Sequence, residues 1–442
     1  MYWKMLAASA AALSFGMAAH AGHHEDGEMH EHVPAVGYTP TDLIDTAVVE
    51  TPSGRLVGED MGDYHAFRGI PYAQPPIGDL RWRAPQPVEP WTGDRTVIEF
   101  QAPCVQPAIA DPSLPNGGGV VGVKSEDCLY MEVYAPENAE NAPVMLWMHG
   151  GAAFLGAGHL GSYHGEANAA NGVITVSINY RLGPMGYFAH PALTAEGGPT
   201  GDFAMMDAVA ALEWIQENIA SFGGDPDNVT IAGQSAGGVM VINLLSIPSA
   251  EGLFDKAIVQ SGAFVSPGRE LAAAEQLGVE GMATLDVPAD ATADMLRSVS
   301  AQSLTYNPAL RRGISGTIDG RFNTVSPRAA MDAGREADVP VLVGSNMGEG
   351  GFSRATQLAA ETGDEGAPAF LYHFRYMPEF REAAWGNGPI HSAELMYTFD
   401  SLETSSWGAG RTTAEDEAYA DIVNSCWTSF MHMNPSSTTI TC

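Results

Sequence analysis

A glycine-flanked serine between an apolar strand and a helix constrains the fold more than any other feature of this sequence. Val229-Thr230-Ile231-Ala232 predicts a buried strand, Gly233-Gln234-Ser235-Ala236-Gly237 follows it, and an apolar helical stretch comes next. A turn this tight requires glycines around a strained serine, and it lifts the hydroxyl above the edge of a sheet. The pattern therefore indicates a nucleophile at Ser235, although an ordinary glycine-rich turn between a strand and a helix can have the same composition.

Short apolar strands alternate with helical stretches from about residue 41, without a long linker or an internal repeat. The clearest helix is predicted from Asp202 to about Ser221, with Asp202 as a plausible N-cap. This alternation predicts an α/β fold with a mostly parallel central sheet and helices on both faces. In such sheets functional residues follow the carboxyl ends of the strands. The other predicted strands are 46–50, 64–68, 129–134, 144–148, 173–179, 256–260, 339–344 and 371–376.

A second glycine turn follows the predicted strand 144–148. Its residues are His149-Gly150-Gly151-Ala152-Ala153. Small residues at such a turn allow backbone N–H groups to converge on a carbonyl oxygen, as in an oxyanion hole. Two such loops after separate strands, in this chain order, are more specific than either loop alone.

A nucleophilic serine needs a base, and the base needs an acid that orients it. Glu349 lies in a glycine-rich loop after the strand 339–344, which suits the acid. Three histidines follow it. His373 lies within a predicted strand and His432 in a terminal helical stretch, whereas His391 follows a loop, so position favours His391 as the base.

Longer motifs extend the comparison. The sequence resembles the type B carboxylesterase family, with its bacterial esterases, cholinesterases and non-catalytic adhesion relatives, over nearly all of residues 42–442. The resemblance lies in the serine turn and in the segments 67–73, 125–130, 179–183 and 222–226. It implies an α/β-hydrolase fold and an enzyme that hydrolyses carboxylic esters through an acyl-enzyme intermediate, without a cofactor or a metal.

The resemblance also assigns residues. It implies a triad of Ser235, His391 and Glu349, an oxyanion hole made by the N–H groups of Gly151, Ala152 and Ala236, and a disulfide between Cys104 and Cys128. It implies that Arg68, Glu126 and Asp127 are structural ion-pair residues. A thioesterase, lipase or amidase on the same fold stays open because fold and triad do not set the substrate. A non-catalytic binding module is a further alternative.

Several positions depart from the family pattern. Gln234 stands where the family often has Glu, Ala152-Ala153 removes an aromatic from the oxyanion loop, and Gly348 replaces the Asp that usually precedes the acid. His391 follows Glu349 by only 42 positions, far fewer than in the family. The missing segment normally builds helices around the active site, so the shape of the pocket is not predicted.

The N-terminus and the composition set the remaining expectations. Residues 1–21 read as a cleaved signal peptide, 22–40 as a His-rich polar leader, and 41–442 as a single hydrolase domain. Export would place the protein in the periplasm or outside the cell.

With 20 basic and 53 acidic residues, the net charge of −33 argues against nucleic-acid partners. The expected partner is a small-molecule ester; no segment after the signal predicts a membrane span, and the oligomeric state is open. Cys426 and Cys442 could pair, or Cys426 could be a buried thiol.

Overall fold

The strand that precedes the serine turn lies in the interior of an 11-stranded sheet formed by the described residues. In this computed structural model the described residues are 45–107, 120, 123–311, 316–363, 366–405, 407–434, 437–440 and 442. The predicted signal peptide and leader therefore lie outside the described residues, as does the start of the predicted domain. The strands are β1 Thr46–Thr51, β2 Gly54–Asp60, β3 Tyr64–Pro71, β4 Asp94–Thr96, β5 Tyr130–Pro136, β6 Ala142–Met148, β7 Ile174–Ile178, β8 Gly224–Gln234, β9 Lys256–Gln260, β10 Arg269–Glu270, β11 Thr317–Ile318, β12 Val341–Asn346 and β13 Ala369–Phe374.

The sheet order confirms the predicted α/β-hydrolase architecture. The strands follow one another as β1-β2-β3-β5-β7-β6-β8-β9-β12-β13, with β4 beside β2. The pairings along β7-β6-β8-β9-β12-β13 are parallel, those along β1-β2-β3-β5-β7 are antiparallel, and β4 pairs with β2 in parallel. The central sheet is thus mostly parallel, and its parallel strands end at the same edge. β2 was not predicted from the sequence.

Helices cover both faces of the sheet. They are α1 Glu166–Ala170, α2 Gly183–Gly186, α3 Pro191–Thr194, α4 Phe203–Asn218, α5 Ala236–Leu244, α6 Leu271–Ala283, α7 Ala293–Ser298, α8 Ala301–Tyr306, α9 Pro327–Met331, α10 Phe352–Gly363, α11 Glu382–Trp385, α12 Leu395–Thr398 and α13 Ala414–His432. Short 3-10 turns occupy Gly78–Leu80, Gly161–Tyr163, Ile219–Phe222, Pro248–Ala250, Met347–Glu349 and Glu379–Arg381. The core is correspondingly double: along β6, Val144 and Leu146 pack on the side of α4 and α5, and Met145 and Trp147 pack on the side of α12 and α13.

The helix predicted from Asp202 is present, but Asp202 serves another purpose there. It occupies the N-cap position of α4 without making a capping hydrogen bond. Its buried carboxylate instead accepts hydrogen bonds from the backbone N–H of Thr317, at 2.6 Å, and from the amide of Asn323. Burial, the largest influence, raises the pKa of Asp202 to about 7. The residue therefore ties α4 to a distant loop.

Both candidate disulfides form in the structure. Cys104 and Cys128 are bonded with their Cα atoms 5.0 Å apart, which agrees with the pairing that the family resemblance implied. Cys426 and Cys442 are also bonded, so Cys426 is not a free thiol. The predicted ion-pair roles hold for two residues, since Arg68 pairs with Glu59 and Glu126 pairs with Arg81.

Candidate active site

Ser235 lies at the sharp turn that the sequence predicted, directly between β8 and α5. Its backbone has φ 55° and ψ −118°, a left-handed conformation that a non-glycine residue rarely adopts. A Cβ atom on Gly237 would lie 1.9 Å from the carbonyl oxygen of Met148, and one on Gly233 would lie 2.4 Å from Gly237. The glycines are therefore required by the close approach of neighbouring backbone. The N–H of Ser235 donates to the carbonyl of Gln260 at 2.8 Å, which fixes the turn on β9.

Glu349 and His391 meet in a direct hydrogen bond between Oε2 and Nδ1. Glu349 lies in the 3-10 turn that follows β12, and its Oε1 accepts from the backbone N–H of Asn346 at 2.7 Å and from the hydroxyl of Ser261. Burial raises the pKa of Glu349, but these hydrogen bonds, with that from His391 the strongest, outweigh burial and hold it below its ordinary value. For His391 burial lowers the pKa, and the hydrogen bond and charge of Glu349 outweigh it, so the pKa is raised.

Two contacts attach the histidine loop to the acid loop. The backbone N–H of Gly348 donates to the carbonyl of Pro389 at 3.0 Å. The side-chain amide of Asn346 donates to the carbonyl of Ile390 at 2.7 Å. These two bonds hold the loop before His391 against the turn that carries Glu349, and they thereby place the imidazole beside the carboxylate.

The other two candidate histidines lie elsewhere. The ring of His373, on β13, stacks on Phe352 with centroids 4.2 Å apart. His432, at the end of α13, contacts the carbonyl of Asn171 at 2.8 Å through Nε2. Only His391 contacts Glu349 among the three candidates.

Ser235, Glu349 and His391 line one open cleft of about 390 Å³, called the serine cleft below. Its volume is within the usual range for small-molecule sites. Ala152 and Ala236 line the same cleft, whereas Gly151 lies in the adjacent turn. This places two of the three predicted oxyanion residues directly beside the serine.

The loop after β6 has a strained backbone. Gly151, Ala152 and Ala153 have φ values of 108°, 54° and 58°. The carbonyl of Gly151 accepts from the N–H groups of Phe154 and Leu155, both at 3.0 Å, which closes the turn. A Cβ atom on Gly150 would lie 3.2 Å from the Cβ of Ser235, so the loop packs directly against the serine turn.

The structure adds three residues that sequence reasoning missed. Glu394 is fully buried, and its Oε2 accepts from the side-chain amide of Asn346 at 2.5 Å while Oε1 lies 3.4 Å from the hydroxyl of Ser261. Burial and then the charge of Glu349 raise the pKa of Glu394 to about 7. In the sequence, Glu394 stands out only as an acidic residue among apolar neighbours, three positions after His391.

The buried side chain of Gln234 also reaches the base. Its Nε2 lies 3.4 Å from Nε2 of His391, and its Oε1 has no hydrogen-bond partner among the described residues. The sequence marked Gln234 only as a departure from the family pattern. Its position puts it in the environment of the ring nitrogen that would exchange protons with Ser235.

The described part of the chain shows neither a metal-binding cluster nor a membrane-spanning helix. Within the described ranges, no group of three or more His, Cys, Asp or Glu side chains is arranged to hold a metal ion. None of the helices among those residues is both long and apolar enough to cross a membrane. The histidines of the predicted leader lie outside the described residues.

Comparison with known proteins gives consistent relatives. A sequence model of the Carboxylesterase family matches residues 45–365. The para-nitrobenzyl esterase of Bacillus subtilis strain 168 is 38% identical over 319 residues, which are 69% of this chain and 63% of that protein. The medium-chain fatty acyl-CoA hydrolase precursor of Anas platyrhynchos is 38% identical over 306 residues, 65% of this chain and 53% of the relative. The alignments thus span between about half and two thirds of these curated relatives.

A solved structure of a PNB esterase superposes with a TM-score of 0.78 at 29% identity, and the match covers 88% of this chain and 91% of that one. The structural match therefore extends over more of the chain than the sequence match. His391 lies beyond the residues matched by the family model, so its placement beside Glu349 rests on the structure.

Proposed function

The chain belongs to the carboxylesterase family, and we propose that it hydrolyses carboxylic esters through an acyl-enzyme intermediate on Ser235. The observation that carries the proposal is the shared cleft of a strained serine and a Glu349–His391 pair. A structural serine gains nothing from a left-handed backbone, which costs about 1–3 kcal/mol. The proposal explains that cost, because the strained turn presents the hydroxyl to the cleft.

His391 is the general base in this mechanism. Its Nδ1–H donates to Glu349, which leaves Nε2 as the acceptor for the proton of Ser235. As the serine oxygen attacks the ester carbonyl, the imidazolium forms and the carboxylate of Glu349 stabilises it. His391 then protonates the leaving alcohol. In the second half, His391 takes a proton from water, water attacks the acyl-enzyme, and Ser235 recovers its proton.

The N–H groups of Gly151, Ala152 and Ala236 are the proposed oxyanion donors. Ala236 is the first residue of α5, where an N–H has no partner within the helix. Such preorganised donors stabilise the charge that develops on the carbonyl oxygen, and removal of one typically costs on the order of 10²–10³ in kcat. These steps require no cofactor and no metal.

Thioester hydrolysis is the second candidate. It is favoured by one observation, the similarity to a relative that is named as a fatty acyl-CoA hydrolase. The triad chemistry is the same for both substrates, and only the leaving group differs. A lipase, an amidase and a non-catalytic binding module remain weaker alternatives, the last because all three triad positions are occupied.

The extent of the hydrolase domain and the compartment in which the protein acts are part of the proposed function. Residues 41–442 would form the hydrolase domain after removal of a signal peptide, and the protein would act in the periplasm or outside the cell. The two disulfides support this compartment, because disulfides persist in oxidising environments. Its partner would be a small-molecule ester.

The decisive experiment compares initial rates on nitrophenyl esters, thioesters and anilides for the native protein and for Ser235→Ala. We expect the ester to be preferred and the variant to lose on the order of 10⁶ in kcat, since the triad acts as a unit. Ser345→Ala is the matched control, because Ser345 also lines the cleft and its hydroxyl has no hydrogen-bond partner among the described residues. After organophosphate treatment, intact mass should show one adduct that Ser235→Ala abolishes.

The histidine assignment is tested in the same way. His391→Ala should lose activity, and His373→Ala should keep it. Turnover by Ser235→Ala at the native rate would refute the nucleophile, and full activity of His391→Ala would refute the base. A thioester preference would move the protein to the second candidate.

A further inference from the structure

One cation in the serine cleft has no assigned role. Arg354 lines the cleft together with Ser235 and His391, and its side chain is exposed to solvent. Among the described residues its guanidinium makes no ion pair and no hydrogen bond, while its backbone N–H donates to the carbonyl of Gly351 at 3.1 Å. A guanidinium carries five donors in a planar fork suited to a carboxylate, so this group is available to a ligand.

The charges around it do not neutralise Arg354. The other charged residues that line the cleft, Glu349 and His391, are hydrogen-bonded to each other. Arg354 also lines an adjoining groove with Glu361 and Arg328. There Glu361 pairs with Arg328 at 3.0 Å, and Arg328 also pairs with an aspartate of its own helix end. With His391 neutral, the Glu349–His391 pair carries one negative charge, which its own hydrogen bonds stabilise. Arg354 is therefore the one arginine or lysine among the residues that line the cleft, and it has no ion-pair partner among the described residues.

Its position is not one that favours the fold. Arg354 is the third residue of α10, and the first turn of that helix carries no acidic residue. A cation near a helix N-terminus is opposed by the helix dipole, whereas an anion there is favoured. The whole chain carries a net charge of −33, so it repels a negatively charged substrate at long range. Binding of such a substrate in the cleft therefore needs a cation close to it.

The walls near Arg354 are apolar. Val239, Ala263 and Phe264 line the cleft, and the Phe264 ring is 49% exposed. A short hydrocarbon chain between an ester group and an ionised terminus matches this arrangement, because the chain can contact the apolar wall while the terminus reaches the guanidinium.

We propose that Arg354 binds a carboxylate of the substrate, so that the preferred substrates are short esters that carry a free carboxylate, such as half-esters of dicarboxylic acids. This inference rests on the proposed ester hydrolysis. The carboxylate could belong to the acyl part or to the alcohol part of the ester, and both place an anion near the reacting carbonyl. Arg354 acts as a specificity-determining residue and takes no part in bond making.

The test compares matched esters by pH-stat titration at pH 8. On the acyl side, monoethyl glutarate is compared with ethyl pentanoate; on the alcohol side, 3-(butyryloxy)propanoate is compared with propyl butyrate. Each charged-to-neutral ratio of kcat/KM is measured for the native protein, Arg354→Gln, Arg354→Lys and Arg335→Gln. Arg335 is exposed and lies outside the cleft, so it controls for the loss of one positive charge.

We expect Arg354→Gln to lower the ratio about tenfold for one of the two pairs, equivalent to about 1.4 kcal/mol, mainly through KM. Neutral esters should be unaffected, Arg354→Lys should recover part of the preference, and added salt should weaken it. An unchanged ratio in both pairs, or an equal loss on charged and neutral esters, would overturn the inference. If the native protein hydrolyses none of the four esters, the proposed function itself fails, which is a distinguishable result.

Discussion

Replacement of Glu394 by Gln should stabilise the protein at alkaline pH and shift its activity profile. The carboxyl is fully buried and lies near Glu349, and its pKa is raised from the ordinary 4.5 to about 7. Gln fits the same contacts, because its oxygen can accept from Asn346 and its NH₂ can donate to the hydroxyl of Ser261. The substitution therefore removes the charge and retains the packing.

The magnitude follows from proton linkage. Between pH 4.5 and about 7 the folded protein holds a proton on Glu394 that the unfolded chain has released, so the free energy of unfolding falls as the pH rises. Because the pKa of Glu394 is raised from 4.5 to about 7, the folded protein loses about 3 kcal/mol of stability once the pH exceeds 7. Glu394→Gln avoids this cost, and it should gain about 3 kcal/mol at pH 8.5 but less than about 1 kcal/mol at pH 5.

Urea unfolding at the two pH values measures the difference. Glu403→Gln is the matched control, since Glu403 is exposed, and it should stay within about 0.5 kcal/mol of the native protein. The kinetic counterpart is the acid limb of kcat/KM. The charge of Glu394 raises the pKa of His391, so Glu394→Gln should move the limb to lower pH. An equal gain at both pH values, or no gain at pH 8.5, would refute the linkage argument.

Three further predictions concern the surroundings of the serine. Gln234→Glu should raise the pKa of His391, because a carboxylate would lie where the amide is now 3.4 Å from Nε2, and the acid limb of kcat/KM should move up by about one pH unit. Gly237→Ala should lose activity and about 1–3 kcal/mol of stability, because its Cβ would lie 1.9 Å from the carbonyl oxygen of Met148; native urea unfolding and turnover would contradict this. Replacement of both cysteines of the Cys104–Cys128 disulfide by Ala should cost about 3 kcal/mol; native thermal unfolding would contradict it.

The serine turn could be predicted because its determinants are local. The strand, the glycines and the helix that shape it lie within a short stretch around Ser235, and each requirement is visible as a residue type. The same holds for the glycine turn after β6 and for Glu349 after β12. Parallel strands then bring these three strand ends to one edge, so the fold class and the local turns together predicted that the three turns would border one cleft.

The network around Glu349 could not be predicted, because it depends on contacts distant in sequence. Ser261 reaches Glu349 across 88 positions and Glu394 across 133. No spacing rule connects these residues, and Glu394 alone looks like an acidic residue in an apolar stretch. Arg354 is a similar case. The sequence predicts only a residue on the surface of a helix, and the packing of α10 beside the cleft brings its guanidinium within reach of a ligand.

The segment between Glu349 and His391 is short, and its sequence did not predict the shape of the pocket. The described residues of that segment form α10, β13 and α11. β13 adds one strand to the sheet, and Arg354 of α10 lines the cleft. The loop before His391 then returns to the start, where Asn346 and Gly348 bind its carbonyls. Since Asn346 also binds Glu394, one side chain holds both the histidine loop and the second carboxylate. The short segment therefore keeps the acid in contact with the base, and the open cleft leaves Arg354 within reach of a charged substrate.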